Sequence, residues 1–471
     1  MKRLPAAPVA ALFCLLASGL CGCGGAPSGP SAGAGSAASS TAETGGDAAA
    51  VLARMKKAYA AAESYGDAAR FIQETVVKGD GVRRPMPVFN ISVRFQAPNK
   101  LRFSLIQPAP GRGFSAAYDV ACDGEHILSR TASVPGQVHV ADAPAELTEA
   151  NFLPAKRIRE ALLDEPLSQI HAPLAMLLGA TGELYAEEST ARLDGESTVG
   201  GFACDVVVMT GADGERKLWV DQDSGLLRRM EVPVDGQRKR LQSDGVIEDL
   251  RIYIEFDEAS LEGPIDEGEF AMRVAEESVG VSRFVAAPAE PPAEGLGAAV
   301  APFSFQTLEG EEVTPASLAG KVVLMDFWFT GCPPCRTQAP VLQEVYEAFA
   351  DDDRVRLMAV STDSERITNE KVEVTLRDWG NGMPIVRDLG QEAYTKLGVQ
   401  GTPAMILLGP DGRVQVSDLG VHPEAAPVIE KVRKLTSGVD LAGEAAAEYL
   451  NQKAAYDREL SEARVPLPSK G

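Results

Sequence analysis

The sequence predicts two domains of different class. The first is an α+β domain built on one large, curved antiparallel sheet with helices, and the second is an α/β domain. Three observations predict this. Residues 71–256 carry short alternating apolar segments between Gly- and Asp-rich turns. Residues 286–300 (AAPAEPPAEGLGAAV) break the composition. Residues 322–408 then alternate continuous apolar runs with helical patterns. A chain of 471 residues, 45% hydrophobic, has enough apolar material for two cores. Its formal charge of -22 argues against nucleic acid or anionic lipid surfaces as electrostatic partners.

Met1-Lys2-Arg3 is basic, and Val9 to Leu20 is an apolar run too short to span a bilayer. This suits a secretory leader. Leu20-Cys21-Gly22-Cys23 resembles a bacterial lipobox. Cys23 fits the lipidated position better than Cys21, because small Gly22 precedes it while bulky Leu20 precedes Cys21. The expectation is a lipoprotein signal peptide over 1–22 and a lipid anchor on Cys23, on the periplasmic side of the cell envelope. Gly rather than Asp at position 24 points to the outer membrane. The alternative is an ordinary cleaved leader. Residues 23–46, rich in Gly, Ala, Ser and Thr, read as a flexible tether.

The first domain is expected over 47–283. Val51, Leu52, Met55, Ala58 and Tyr59 share one face of an opening helix. Strands follow at Phe71 to Val77, Val88 to Phe95, Leu101 to Ile106 and Ala116 to Val120, then at Cys204 to Met209, Lys217 to Asp221, Leu227 to Val232 and Ile247 to Phe256. Glu146 to Leu178 reads as a helical interruption. This order resembles the LolA/LolB-like lipoprotein carriers. The similar stretches are Tyr59 to Tyr65, Pro98 to Ser104, Cys122-Asp123-Gly124 and Gly201 to Arg228. The resemblance implies a half-barrel with an apolar cavity that takes acyl chains or lipoproteins. The alternative is an apolar sheet face that simply packs on the helices. His126, His139 and His171 are scattered without metal-ligand spacing, and no metal is expected.

Residues 284–300 read as a Pro/Ala linker and 301–437 as the second domain. Phe303 to Leu308 and Val313 form an opening hairpin. Lys321 to Trp328 is a strand buried on both faces. A helix follows from Cys332, with Val341, Leu342, Val345, Ala348 and Phe349 as its buried face. Val355 to Ser361 is a strand, and Asn369 to Trp379 and Gln391 to Leu397 are helices. Ala404 to Leu408 and Val414 to Leu419 form a hairpin, and Pro423 to Thr436 closes as a helix. Residues 438–471 read as a short helix and a frayed polar tail.

The chemistry centres on Cys332-Pro333-Pro334-Cys335, directly after the buried strand, and on Gly401-Thr402-Pro403, directly before another. Two intervening residues put Cys332 at a helix N-terminus and Cys335 one turn inside. The helix end lowers the pKa of Cys332, which attacks, while Cys335 resolves. Pro333 and Pro334 restrict the loop and remove backbone donors. Asp326, on the strand, is placed to take the Cys335 proton if it is buried; the alternative is a partly exposed strand end. Thr402-Pro403 reads as a cis-proline loop that pairs with an extended substrate, and Trp328 as a further substrate contact. Zinc would need a second ligand pair, which is missing. A peroxidatic site fails because Phe329 stands three residues before Cys332.

The segments APFSFQTLEG, LAGKVVLMDFWFTGCPPCRTQAP, MPIVRDLG and LGVQGTPAMILLGPDGRV resemble the TlpA/ResA-like thiol–disulfide oxidoreductases. The resemblance implies a thioredoxin fold and reduction of disulfides in exported proteins. It also implies electrons from a membrane thiol carrier, and no cofactor beyond the redox-active cysteine pair. Three departures matter. Gly331 stands where most relatives have Trp, and Gln338 where some carry a functional Glu. Asp326 matches thioredoxin, where many relatives have Asn. The direction of electron flow and the substrate stay open. The competing reading is a carrier or sensor lipoprotein whose second domain is a binding module. An exported chain permits disulfides, so Cys122 and Cys204 are either bonded to each other or two buried free thiols.

Overall fold

The computed structural model describes residues 44–468, except 80, 110–112, 164–171, 180–189, 212–213, 244–246 and 262. Cys23, residues 1–22, most of the expected tether and His171 lie outside the described residues.

The first sheet has twelve strands. In chain order these are β1 (Ser64–Val77), β2 (Arg83–Gln96), β3 (Lys100–Ala109), β4 (Gly113–Asp123), β5 (His126–Thr131) and β6 (Gln137–Asp142), then β7 (Arg192–Val199), β8 (Phe202–Gly211), β9 (Gly214–Asp221), β10 (Leu227–Val232), β11 (Ile247–Phe256) and β12 (Val279–Val281). The helices of this half are α1 (Thr44–Ala60), α2 (Lys156–Leu163), α3 (Ala172–Leu177) and α4 (Asp235–Ser243). The strand order is β12-β6-β5-β4-β3-β2-β1-β11-β10-β9-β8-β7. Strands β1 to β6 pair in succession, as do β7 to β11, and β11 returns beside β1. The pair β12–β6 is parallel.

Alternation decides which face is inside. Phe89, Ile91, Val93 and Phe95 of β2 are buried, and so are Tyr65, Ala69 and Phe71 of β1. Leu52, Met55 and Tyr59 of α1, Phe152 from the preceding loop, and Ile158 and Leu162 of α2 pack onto that face, so the chain's own side chains fill it. Gly225 shows how close the approach is. A Cβ there would lie 3.3 Å from the Ala58 Cβ and 3.4 Å from the Arg54 carbonyl oxygen. The other face carries cross-strand ion pairs such as Arg70–Glu255 and Arg83–Glu74.

Strands β5, β6, β7 and β12 were not expected from the sequence. They are short or polar, and β7 lies at the sheet edge with little of it buried. Of the two alternatives for Cys122 and Cys204, the bond is not formed. Both are free, buried thiols. Cys122 lies on β4 and Cys204 on β8, with β3, β2, β1, β11, β10 and β9 between them. Each thiol instead donates to a backbone carbonyl, of Asn99 at 2.8 Å and of Phe202 at 3.4 Å. Burial pushes both thiol pKa values up.

The second sheet has seven strands: β13 (Phe305–Thr307), β14 (Glu312–Val313), β15 (Val322–Trp328), β16 (Val355–Ser361), β17 (Ile385–Arg387), β18 (Ala404–Leu408) and β19 (Val414–Leu419). Its helices are α5 (Pro333–Ala348), α6 (Asn369–Asp378), α7 (Glu392–Lys396), α8 (Ala425–Thr436) and α9 (Leu441–Ala463). The order β14-β13-β17-β16-β15-β18-β19 puts β15 near the centre, parallel to β16 and antiparallel to β18. Every residue of β15 is buried. Val322, Leu324 and Trp328 face a core with α5, α6 and α8. Val323, Met325 and Phe327 face the opposite core, with Phe305 and Ala393. The buried face of α5 is Cys335, Gln338, Ala339, Leu342 and Val345, while the expected Ala348 is exposed.

The last segment departs most from expectation. It is a 23-residue helix, α9, and its ends are keyed into different domains. At its start, the Ala442 N–H donates to Gln415 Oε1, and Leu441 packs on the second core. At its finish, Ala463 packs with Val281 and Val285, and Tyr456 and Leu460 lie against them. The Ala463 carbonyl accepts from the Ser282 N–H at 2.8 Å. The Val465 N–H then donates to the Gly280 carbonyl at 2.9 Å, so the tail adds to the first sheet beside β12. Linker residues 297–300 bond along the strand-18/19 hairpin through Gly412 and Val414.

A Cβ on Gly280 would meet the Val465 carbonyl oxygen at 2.5 Å. Gly280→Val should therefore displace residues 464–468, cost ~1–3 kcal/mol, and open the tail to carboxypeptidase; an unchanged digestion pattern would refute the docking. Alkylation of the unfolded, unreduced chain, read by peptide mapping, should label Cys122 and Cys204 but not Cys332 or Cys335.

Candidate active site

The end of β15 delivers the chain into the turn Phe329-Thr330-Gly331, and Cys332 caps α5. Asp363 fixes that turn. Its carboxylate accepts from the Thr330 N–H at 3.0 Å, the Thr330 hydroxyl at 2.9 Å and the Ser361 hydroxyl at 3.1 Å. Arg387 in turn donates to the carbonyls of Asp363, Ser364 and Ile367 and holds the Asp363 loop.

Cys332 and Cys335 are disulfide-bonded, with Cα atoms 5.3 Å apart. Pro333 and Pro334 occupy the first helical positions, are exposed, and have no N–H to offer. The first amide that reaches the sulfur is Cys335 N–H, 3.2 Å from Cys332 Sγ. This bond and the positive end of a 16-residue helix favour a thiolate on Cys332. Cys332 is only 2% exposed, so an incoming sulfur must approach through its cover. Part of that cover is Thr402, whose hydroxyl donates to Cys332 Sγ at 3.8 Å. The Thr402–Pro403 peptide is cis. The Pro403 carbonyl accepts from the Gly420 N–H at 2.9 Å. The Thr402 backbone N–H and C=O make no backbone hydrogen bond among the described residues.

Asp326 belongs to the apolar layer between β15 and α5 and is 5% exposed. Burial pushes its pKa up to about 8, and a hydrogen bond from Gln338 offsets part of that rise. Gln338 Nε2 donates to Asp326 Oδ1 at 2.8 Å, and Gln338 Oε1 accepts from the His422 N–H at 3.0 Å. The residue read as a missing acid is therefore a fully buried link between β15, α5 and the loop after β19. Among the described residues no hydrogen bond joins Asp326 to either sulfur of the disulfide.

Trp328, read from the sequence as a substrate contact, is turned into the core. It is 1% exposed, and its ring packs edge-on against Trp379 at 5.3 Å. The exposed aromatic here is its neighbour Phe329, at 38%. Sequence reasoning also passed over Asp363 and Arg387. The available signal was a polar Thr362-Asp363 pair at the end of an apolar strand beside β15. Among the described residues, no cluster of three or more His, Cys, Asp or Glu side chains is placed to hold a metal. A cleft of about 810 Å³ between linker residues such as Leu296 and Tyr449 of α9 is not lined by either cysteine.

A central strand that runs through a Cys-x-x-Cys pair into a helix, faced by a cis-proline, defines a thioredoxin-like redox domain. Residues 296–417 match the AhpC/TSA family. The chain is 30% identical over 112 residues to thiol-disulfide oxidoreductase ResA of Halalkalibacterium halodurans, covering 24% of this chain and 61% of that one. It is 30% identical over 118 residues to sporulation thiol-disulfide oxidoreductase A of Bacillus subtilis, covering 25% and 70%. The crystal structure of StoA from Bacillus subtilis aligns at 27% identity with a TM-score of 0.25, covering 28% of this chain and 95% of that one. Through its C-terminal domain the chain belongs to the ResA-type thiol–disulfide oxidoreductases. It spans less than two thirds of the length of the ResA proteins of Halalkalibacterium halodurans and Bacillus thuringiensis strain Al Hakam, 61% and 66%.

The raised pKa of Asp326 means that the fold favours its neutral form. That contribution is complete below the ordinary carboxylate range and is lost as pH rises toward about 8. Asp326→Asn should therefore stabilise the domain above pH 8, by up to ~5 kcal/mol. Urea midpoints of the two chains should diverge between pH 5 and 9; parallel curves would refute a buried acid. Gln338→Leu removes the hydrogen bond that holds the Asp326 pKa down, so its midpoint loss should start at the same pH as in the wild type and continue to higher pH.

Proposed function

We propose that this chain is a membrane-tethered, extracytoplasmic thiol–disulfide oxidoreductase that works as a disulfide reductase on exported proteins. The observation that carries the direction is the single N–H on the Cys332 sulfur. Pro333 and Pro334 withhold the donors that would otherwise hold the thiolate, so the dithiol form gives up its electrons more readily.

In the reaction, Cys332 thiolate attacks one sulfur of a substrate disulfide. The substrate S–S bond breaks, a mixed disulfide forms, and the departing substrate thiolate takes a proton. Asp326 accepts the Cys335 proton through water. Cys335 thiolate then attacks Cys332 Sγ and releases the second substrate thiolate. The substrate gains two electrons from the cysteine pair, the proton that Cys335 gave up and one proton from solvent, and the cysteine pair becomes the disulfide. A membrane dithiol carrier restores it by the reverse exchange. The pair is the redox group and needs no other cofactor.

In this reading Cys23 holds the lipid anchor, on the outer membrane, and the N-terminal domain is a LolA/LolB-like module that binds a lipid or protein partner. Its inner face is already occupied by Leu52, Met55, Tyr59, Phe152 and Ile158, which favours a protein partner such as a lipoprotein over free acyl chains.

Insulin reduction with dithiothreitol tests the chemistry. Cys332→Ser should abolish it, and Cys335→Ser should accumulate a mixed disulfide with substrate. Activity that survives in Cys332→Ser would sink the proposal. A reduction potential near about −270 mV supports a reductase, whereas one near about −120 mV reverses the direction.

A further inference from the structure

We propose that Asp363 acts on the cysteine pair through its charge: the buried carboxylate held against the turn into α5 makes the Cys332 sulfur harder to ionise and biases the pair toward giving up electrons. The bias rests on the reductase reading; the effect on the sulfur does not. Asp363 is 8% exposed. Its carboxylate takes up the Thr330 N–H at 3.0 Å, the Thr330 hydroxyl and the Ser361 hydroxyl, in each case as the acceptor. Thr330 stands two residues before Cys332, so their Cα atoms are at most ~7 Å apart. The Cys332 N–H closes the turn on the Phe329 carbonyl at 3.2 Å. The carboxylate therefore lies on the order of 10 Å from the sulfur. At that range, in a poorly hydrated site, one charge changes a thiol's ionisation by roughly two- to tenfold.

Asp363 opposes the α5 N-terminus and the Cys335 N–H, which favour the thiolate. Among the described residues no Lys, Arg or His side chain pairs with its carboxylate. The cation that answers it is Arg387, 3% exposed. That guanidinium donates to the carbonyls of Asp363, Ser364 and Ile367 and to Asn369 Oδ1, and its buried Nε has no partner. A guanidinium buried on neutral acceptors is costly unless a carboxylate lies near it. None of its bonds reaches residues 329–332, whereas two of the carboxylate's bonds do. The anion thus faces the cysteine turn, and the cation stands behind the loop. The other titratable groups around the pair contribute less. Asp326 beneath it is mostly neutral at pH 7, because burial raises its pKa to about 8. Arg336 of α5 is exposed. His422 sits on the loop after β19 beside Asp418. The Asp388 carboxylate is taken up by the amides of Ala393 and Tyr394. Asp363 is therefore a positioning residue, acting through the turn rather than on the reacting atoms.

The test is the rate of Cys332 alkylation by iodoacetamide against pH in the reduced full-length chain, with the site read by peptide fragmentation. Asp363→Asn keeps the volume and removes the charge. Its profile should move to lower pH, with at least about a threefold larger thiolate fraction at pH 7. Thr330→Ala removes the hydroxyl bond and keeps the charge, so its profile should stay within about twofold of the wild type. In glutathione buffer at pH 8 the Asp363→Asn pair should also hold its electrons more tightly, by about threefold in the equilibrium, where tenfold is about 30 mV. An Asp363→Asn profile that is unmoved or moves to higher pH overturns the proposal. So does a Thr330→Ala profile displaced as far, or a glutathione equilibrium that does not follow. If Asp363→Asn does not fold, Arg387→Gln decides. Loss of the cation should move the profile to higher pH, and an unmoved profile overturns the proposal. A chain that shows these shifts but reduces no insulin upholds the effect on the sulfur and sinks the reductase reading.

Discussion

The second domain is organised around one carboxyl group in a largely apolar layer. β15 is buried on both faces, and Asp326 faces the layer that also packs α5. An unpartnered carboxyl there would be strongly disfavoured. Gln338 answers it with a hydrogen bond and passes its own carbonyl oxygen to the His422 N–H. One side chain thus fixes how α5 lies on the sheet and where the loop after β19 sits. That loop includes Gly420, which bonds Pro403. Cysteine pair, cis-proline and acid are held by one buried chain of contacts.

The first domain solves a different problem. The twelve-stranded sheet presents a long apolar face, and four helices with their connecting loops cover it. The ends of such a sheet are exposed to stray pairing. One end is finished by β12 and the tail after α9, and the other by β7, which is mostly polar and exposed.

How much of this was legible follows from where each residue gets its information. The strand before the cysteines could be read because Val322 to Met325 is a continuous apolar run, and α8 because its pattern repeats at helical spacing. Cys332, Cys335 and Pro403 are marked by spacing alone. Gln338 was misjudged because a sequence shows that an acid is absent but not that an amide bridges two other elements. Trp328 was misplaced because strand parity, not aromatic character, sets which of Trp328 and Phe329 turns outward. Cys122 and Cys204 each sit in strand-like segments, and nothing local tells how many strands divide them. α9 looked like a tail because its middle, including Leu450, is exposed and its contacts lie at its two ends.

That last helix has a geometric consequence. An α-helix keyed at both ends is a rod of set length, here about 34 Å for 23 residues at ~1.5 Å each. It turns ~100° per residue. The chain therefore encodes both the spacing and the relative rotation of its two sheets in a residue count. Adding whole pairs of turns would lengthen the span and keep both ends in phase. Adding two residues would swing one end about the axis by roughly 200° and force either the Gln415 contact or the Gly280 contact to let go. A segment with no reactive group of its own thereby acts as the gauge between a disulfide and whatever the first domain holds.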